Sequence, residues 1–358
     1  MSRPLVAITR IAAMQANLEA ARRAVPGART WAVVKADAYG HGLAHAARAF
    51  EAADGLSLIE FDRAVRLREL GWQKPIMMMQ GMYSAADIDI LVRHDLQPVI
   101  HHAEQCRMLE TTPVPRPLDV HLKINTGMNR LGFMPSQVRQ VFQQLKALPS
   151  VRSVSLMTHF ANADTHGTAP DVDTQIAAFR EATTGLDAEI SLSNSAATLL
   201  QPQIKSDWIR PGVMLYGGAP GSQSAASLDL QPAMTLRSRV IATQSLQTGD
   251  SVGYGSLFIA DKPMRIGIVA CGYADGYPRL APTGTPVLLN GVRTRILGRV
   301  SMDMLNIDLS PVPGADVGSE VTLWGEDLPV DEVAAHAGTI GYELMCAIAP
   351  RVRREVHG

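Results

Sequence analysis

Short apolar runs alternate with helix-like stretches over the first two thirds of the chain. A strand-like segment at residues 5–8 precedes a segment at 11–25 whose apolar residues have helical spacing and which ends at Pro26 and Gly27. Eight apolar strand candidates then follow at 31–35, 56–60, 75–79, 97–100, 119–124, 151–159, 189–193 and 208–215. This alternation predicts an α/β fold with a closed (β/α)8 TIM-like barrel, and a doubly wound open sheet is the alternative.

The pattern changes after a linker-like segment at 221–227, rich in serine and alanine. Helical spacing nearly vanishes there, and a single short helix is predicted at 331–336. The β-rich runs lie at 235–244, 264–270, 285–289, 293–297, 305–309 and 320–324. Turns of Gly, Pro and Asn-Gly bound these runs, so we predict a mainly β domain, either a barrel or a sandwich. The expected division is residues 1–225 and 226–358, and the strand near 5–8 is free to join the second domain.

Lys35 ends the first apolar strand of the predicted barrel. Trp31 to Val34 is β-branched and apolar, as in a strand buried on both faces, and a helix is predicted from residue 40 to 50. Lys35 therefore lies at the carboxyl end of a buried strand, where α/β folds place their chemistry. One interpretation is a lysine that only extends its amine into solvent, and the other is an amine of lowered pKa that condenses with a carbonyl.

Polar motifs follow several later strands in the same way. Arg130 comes after a glycine turn and either binds a carboxylate with its planar fork or is a solvated loop residue. A single histidine such as His159 is more often structural than functional. The segments 193–196 and 210–213 carry small hydroxyls and glycine amides that suit a phosphate, which barrels often bind after strands seven and eight.

Composition narrows the class of ligand. The 358 residues are 46% hydrophobic and 19% charged, and 33 basic residues nearly balance 34 acidic ones. The sequence therefore has no excess of basic residues that would bind nucleic acid or an anionic membrane, so a small-molecule partner is expected. The three cysteines have no metal or redox spacing, and neither a signal peptide nor a membrane-spanning segment is evident. We therefore expect a cytoplasmic protein without a metal site.

Across both predicted domains the chain resembles the alanine racemase family. The segments that carry the resemblance are 32–42, 123–132, 158–164, 193–196, 210–213, 253–255, 271–279, 298–303 and 340–343. The resemblance implies that Lys35 forms an imine with pyridoxal 5'-phosphate. It also implies interconversion of L- and D-alanine by two-base proton transfer at Cα of the aldimine. Lys35 is the base expected to transfer the proton on the D face.

The second base implied by the resemblance is Tyr254, flanked by two glycines that let the ring stand on an exposed turn. Taken alone, a tyrosine in a turn is more often a surface or packing residue. In the family, the matching tyrosine of the partner subunit faces the cofactor opposite the lysine. The resemblance therefore implies a homodimer with sites shared between subunits.

Further site residues follow from the same resemblance. Arg130 and Met302 are expected to hold the substrate, with Asp303 and a Lys123 that is carbamylated in many relatives as supporting residues, although Asn125 stands where the family more often has Asp. The expected cofactor contacts are Lys35, Tyr39, Arg130, His159, Ser195, Arg210, Gly212, Val213 and Tyr342. The expected entrance residues, whose bulk favours a small side chain, are Tyr273, Arg279, Arg299 and Ile340.

Three other functions are compatible with parts of this pattern. A broad-specificity amino-acid racemase would share both domains. A fold-related decarboxylase is disfavoured, because an arginine at the cofactor ring nitrogen weakens the ring as an electron sink and suits proton transfer better. A non-enzymatic pyridoxal-phosphate carrier would share the barrel, but the region beyond residue 221 and Tyr254 argue against it.

Overall fold

A closed barrel of parallel strands follows the first strand and helix, β1 (Val6–Arg10) and α1 (Ile11–Ala24). The structure, a computed structural model, describes residues 3–165 and 167–358. The barrel strands are β2 (Arg29–Val33), β3 (Gly55–Leu58), β4 (Ile76–Met78), β5 (Leu96–Ile100), β6 (Leu118–Lys123), β7 (Val151–Met157), β8 (Ile190–Ser191) and β9 (Trp208–Ile209). The ring closes because β2 pairs in parallel with β9. The predicted barrel is confirmed, and the open sheet is excluded.

Helices pack around the barrel through apolar stripes. In α7 (Val138–Ala147) the buried residues Val138, Val141, Phe142 and Leu145 follow the helical period, so one face meets the barrel. The other helical segments are α2 (Lys35–Tyr39), α3 (Leu43–Ala49), α4 (Phe61–Glu69), α5 (Asp87–Arg93), α6 (Ala103–Thr111), α8 (Val172–Thr183), α9 (Ser195–Leu200), α10 (Val330–His336) and α11 (Gly341–Cys346).

Two predicted elements near the barrel rim are shorter than expected. The helix predicted from residue 40 starts only at Leu43, because Gly40 and Gly42 have positive φ angles of 78° and 93°. The strand predicted at 208–215 ends at Ile209, since Pro211 has no N–H to continue the ladder, and Val213–Tyr216 is a single 3-10 turn. Both changes leave residues outside regular helix or strand at the end of the barrel where the predicted site lies.

The second sheet is antiparallel except at one edge. It contains β10 (Met234–Leu246), β13 (Met264–Val269), β14 (Pro286–Leu289), β15 (Val292–Leu297), β16 (Leu305–Asp308), β17 (Glu320–Trp324) and β18 (Arg353–His357), beside a small hairpin of β11 (Ser251–Val252) and β12 (Phe258–Ile259). Pairing of β10 with β13 closes most of these strands into a barrel. β1 lies between β10 and β18, so the first strand belongs to this sheet. The boundary at residue 225 stays a prediction.

Some features are missing from the described part of the chain. No helix within residues 3–165 and 167–358 is long and apolar enough to cross a membrane. The same residues contain no group of three or more His, Cys, Asp or Glu side chains that could hold a metal ion. Cys106 and Cys271 are buried free thiols, and Cys346 is an exposed one.

Candidate active site

A cavity of about 510 Å³ opens at the carboxyl ends of the barrel strands. This is the size of a small-molecule site, and its position is the one where barrels place their chemistry. The structure brings together at this cavity the predicted residues Lys35, Tyr39, Lys123, Arg130, His159, Ser195, Arg210, Gly212, Val213 and Tyr342. These residues come from segments far apart in the sequence, and the fold makes them neighbours: the barrel supplies all of them except Tyr342, which lies in α11.

Gln80 and Asp164 are polar residues of the cavity wall that were not predicted. Gln80 is the first polar residue after the β4 segment, and its side chain accepts a hydrogen bond from the Tyr83 hydroxyl. Asp164 ends the motif that contains His159 and also lines the cavity. Both follow barrel strands, and their place after a strand end is the signal that could have identified them.

Lys35 enters the cavity from a left-handed turn. Ala36, Asp37, Ala38 and Tyr39 have φ angles of 54°, 51°, 56° and 51°. An L-residue in this region costs about 1–2 kcal/mol, so four in succession are strained. The turn therefore needs support from its surroundings, and it lets both Lys35 and Tyr39 line the cavity.

Two lysines of the cavity have lowered pKa values. Burial, reinforced by the Arg130 guanidinium, lowers the pKa of Lys35. Burial lowers the pKa of Lys123 to about 7, and the positive charge of Arg210 adds to the effect. Both amines are therefore neutral more often than an exposed lysine at neutral pH, and a neutral amine is the form that acts as nucleophile or base.

Arg210 lies fully inside the barrel mouth. It donates from Nη1 to Ser191 Oγ at 2.7 Å and from Nη2 to the Thr158 carbonyl at 2.5 Å. Its buried Nε has no partner among the described residues. Burial lowers the pKa of Arg210 to about 10, so the guanidinium stays protonated at neutral pH. One N–H donor is thus free for a ligand.

His159 lies near Arg210 without bonding to it. The His159 ring forms no hydrogen bond with Arg210 among the described residues, and the guanidinium donates to Ser191 and Thr158. Burial and the nearby charge of Arg210 lower the pKa of His159 well below its ordinary value. The imidazole is therefore neutral and lies beside a guanidinium.

Ser195, Gly212 and Tyr39 form a tight corner of the cavity. The Ser195 oxygen accepts hydrogen bonds from the Gly212 amide at 2.8 Å and the Met214 amide at 3.4 Å. The Tyr39 ring stacks on Tyr216 with centroids 4.8 Å apart, and its hydroxyl lies against Gly212. The corner combines two hydroxyls with backbone amides, which are donors suited to a phosphate.

Arg130 is presented by a loop that Asn125 organises. The Asn125 Oδ1 accepts from the amides of Gly127 at 3.1 Å and Asn129 at 3.0 Å. Asparagine accepts these bonds as an aspartate would, so the departure from the family pattern leaves the loop closed. Arg130 is exposed at the cavity and forms no ion pair within the described residues, which leaves its guanidinium free for an anion.

Apart from Tyr342, the predicted residues of the second domain do not line this cavity. Tyr254 is 71% exposed, and Arg299 packs beneath its turn within about 4 Å of Gly255. Asp303 binds Arg351 at 2.6 Å rather than a group in the barrel. The remaining members are also exposed: Met302, Tyr273, Arg279 and Ile340. Within one chain, the two halves of the predicted site are separate.

Comparison with known proteins gives one consistent result. Residues 10–220 match the family described as "Alanine racemase, N-terminal domain" and residues 233–356 the one described as "Alanine racemase, C-terminal domain". The chain is 55% identical to the alanine racemase of Janthinobacterium sp. (strain Marseille), with 99% of each chain covered.

Solved structures agree with the sequence comparison. The biosynthetic alanine racemase from Pseudomonas aeruginosa superposes with a TM-score of 0.96 at 44% identity, covering 99% of this chain and 100% of that one. The alanine racemase from Acinetobacter baumannii gives 0.93 at 35% identity, with 99% and 100% covered. Both family models match in order and together span most of the sequence, and the chain belongs to the alanine racemase family.

Proposed function

We propose that the protein is an alanine racemase that interconverts L-alanine and D-alanine with pyridoxal 5'-phosphate as its cofactor. The observation that carries the proposal is the cavity at the barrel mouth, which is lined both by an amine of lowered pKa, Lys35, and by Arg210, whose Nε has no partner among the described residues. Relatives of high identity bear the name of this activity.

The residues present fit the cofactor. The free N–H of Arg210 would hold the ring nitrogen, and the Ser195, Gly212, Val213, Tyr39 and Tyr342 groups would hold the phosphate. A side chain at residue 212 would fill the corner beside Tyr39, so glycine leaves the room that a phosphate needs there. When bound, pyridoxal phosphate withdraws electrons from an attached amino acid and acidifies its Cα proton.

Lys35 has two roles in this proposal. Its neutral amine would anchor the cofactor and, once released from it, would accept or return the Cα proton on the D face. Burial and Arg130 lower its pKa, which increases the fraction of neutral amine available for both steps. Positioned proton transfer of this kind contributes about 10² to 10⁴ in rate.

Arg130 and Arg210 supply fixed positive charge. Arg130 carries a free guanidinium at the cavity that suits the substrate carboxylate. Arg210 keeps its proton at neutral pH, so it would donate a hydrogen bond to the ring nitrogen without protonating it. By leaving the ring nitrogen without a proton, Arg210 would make the cofactor a weaker electron sink and so favour return of the proton to Cα over other reactions.

Tyr254 is proposed to enter the site from a second copy of the chain. Tyr254 is exposed and does not line the cavity of its own chain, so the base on the L face would come from another chain. The second domain also exposes several large apolar residues, as expected for a surface covered by a partner: Leu257, Ile259, Met302 and Met304. We propose a homodimer in which Tyr254 and Met302 of each subunit complete the partner's site.

Racemisation is tested by incubating the purified protein and pyridoxal phosphate with either alanine enantiomer in D₂O. Both enantiomers should reach the same equal mixture by chiral chromatography, with deuterium at Cα. Serine, lysine and arginine as substrates would distinguish a broad-specificity racemase. Absence of Cα exchange from both alanines, with cofactor bound, would contradict the proposal and leave a carrier role.

A further inference from the structure

The strained turn after Lys35 is supported by one buried histidine. His41 is 0% exposed, and its Nδ1 lies 2.9 Å from the Tyr39 carbonyl oxygen and 3.1 Å from that of Ala38. Both carbonyls belong to the residues of positive φ. The side chain of His41 therefore binds the backbone of the turn at the two residues nearest its end.

The protonation of His41 follows from these contacts. Two carbonyl oxygens face Nδ1, so this nitrogen carries the hydrogen, while Nε2 is buried without a partner among the described residues. Burial lowers the pKa of His41 to about 4, and the ring is neutral at physiological pH. His41 thus acts as a fixed donor to the turn.

The ring of His41 also belongs to an aromatic stack that reaches the cavity. Its centroid lies 4.7 Å from that of Tyr216, and Tyr216 stacks on Tyr39 at 4.8 Å. The Tyr216 hydroxyl donates to the Val33 carbonyl at 2.8 Å, which ties the stack to β2. A shift of His41 would consequently be transmitted to Tyr39.

We propose that His41 is a positioning residue for cofactor binding, because its Nδ1–H bond to the carbonyls of Ala38 and Tyr39 holds the left-handed turn that directs Lys35 and Tyr39 into the cavity. This proposal rests on the proposed function, since it needs pyridoxal phosphate as the ligand. His41 does not itself line the cavity, so its effect passes through the turn.

Two substitutions separate the donor from the ring. His41→Phe keeps an aromatic ring against Tyr216 but removes the donor. His41→Asn loses the ring but places an N–H donor the same number of bonds from Cα. Leu145→Ala, in α7, is the control for general loss of stability, because Leu145 is buried far along the chain from the turn.

Binding of pyridoxal phosphate to each apoprotein is measured by fluorescence titration. We expect His41→Phe to weaken binding roughly tenfold, as for loss of a buried hydrogen bond, and His41→Asn to stay within about threefold of the wild type. Leu145→Ala should lower the melting temperature with binding unchanged. Amide exchange at Gly40 and Gly42, which donate within the turn, should quicken in His41→Phe alone.

The outcomes distinguish the two proposals. If the wild-type apoprotein does not bind pyridoxal phosphate, the proposed function fails. If it binds and His41→Phe binds equally well, or His41→Asn is as weak as His41→Phe, the role of His41 is overturned. If His41→Phe does not fold, Arg354→Met removes the other side-chain donor to the turn, at the Gly40 carbonyl, and must weaken binding in the same way.

Discussion

The Tyr39 hydroxyl and Gly212 are in such close contact that a Cβ atom on residue 212 would lie 2.6 Å from the hydroxyl oxygen. Real Cβ contacts are longer, so a side chain here forces Tyr39 to move. The backbone of Gly212 has a negative φ of -118°, and the restriction at this position is therefore one of space.

Gly212→Ala should reduce cofactor affinity about tenfold or more, since overpacking of a tight site costs roughly 1–3 kcal/mol. Titration of the apoprotein with pyridoxal phosphate measures the change. Gly314→Ala is the matched control, because its Cβ would meet nothing within 4 Å. Equal affinity of the two variants would show that the corner is not part of the phosphate site.

Lys35→Ala and Tyr254→Phe should distinguish the residue that anchors the cofactor from the residue that only transfers a proton. Without the Lys35 amine, the absorption band of the bound cofactor imine is expected to vanish together with activity. Without the Tyr254 hydroxyl, the band should remain while racemisation falls by about 10² to 10⁴. Spectra and chiral assays on the same preparations check both. Retained colour and activity in Lys35→Ala would rule out the assignment of the anchor.

Mixed dimers of these two variants should regain activity. One of the two shared sites then combines an intact Lys35 with an intact Tyr254 of the partner subunit, so up to half of the sites per dimer is restored. Differently tagged chains, co-expressed and purified through both tags, provide the sample. If verified heterodimers stay inactive, the two residues serve the same site from one chain.

Lys123 should be found as a carbamate, which would place negative charge among Arg130, Arg210 and Lys35. Its pKa of about 7 means that the neutral amine, the form that reacts with CO₂, increases as the pH rises from 6 to 8. At fixed dissolved CO₂, the carbamate signal in ¹³C NMR should therefore grow over this range and be missing in Lys123→Gln. A signal of equal size in that variant would assign the carbamate elsewhere.

Asp275→Asn should destabilise the second domain by roughly 3 kcal/mol at pH 7, because it leaves a buried group beside unpaired guanidinium groups. The Asp275 carboxylate is buried and binds Arg3 at 2.8 Å, Arg351 at 2.8 Å and the Gly272 amide at 2.9 Å. Burial alone would raise the pKa of Asp275, but these hydrogen bonds outweigh it and the pKa is lowered.

The contribution of the Asp275 carboxylate to the free energy of unfolding depends on pH. A lowered pKa in the folded state stabilises the protein above the unfolded-state pKa of about 4, and this contribution is lost as the pH falls through the folded-state pKa. Urea denaturation at several pH values should thus show wild type and Asp275→Asn converging below about pH 4. A difference that does not depend on pH would point to packing rather than charge.

The barrel and its polar strand ends were predictable from the sequence, because buried parallel strands are short apolar runs and the residues that follow them lie on one face. Lys35, His159 and Arg210 were found in this way. Gln80 was missed since it follows an apolar run without a recognisable motif. The strand β18 was missed because Arg353, Arg354 and Glu355 make it too polar to resemble a strand.

Two features of the candidate site could not be predicted from the sequence, because they depend on contacts between distant segments or chains. Four non-glycine residues adopt left-handed angles after Lys35, although only Asp37 is of a type that visits this region often, and His41 and Arg354 supply compensating hydrogen bonds. The proposed approach of Tyr254 to Lys35 would depend on a second chain, and no periodicity within one chain encodes that relationship.

The pairing of β1 with β18 has a consequence for biosynthesis. These strands are separated by the entire barrel, yet Arg354 in β18 binds the carbonyl of Gly40 beside the lysine turn. During translation, the barrel can form well before residues 353–357 leave the ribosome. A nascent chain therefore holds a folded barrel whose Lys35 segment is not yet secured, and racemase activity is expected only after β18 is in place.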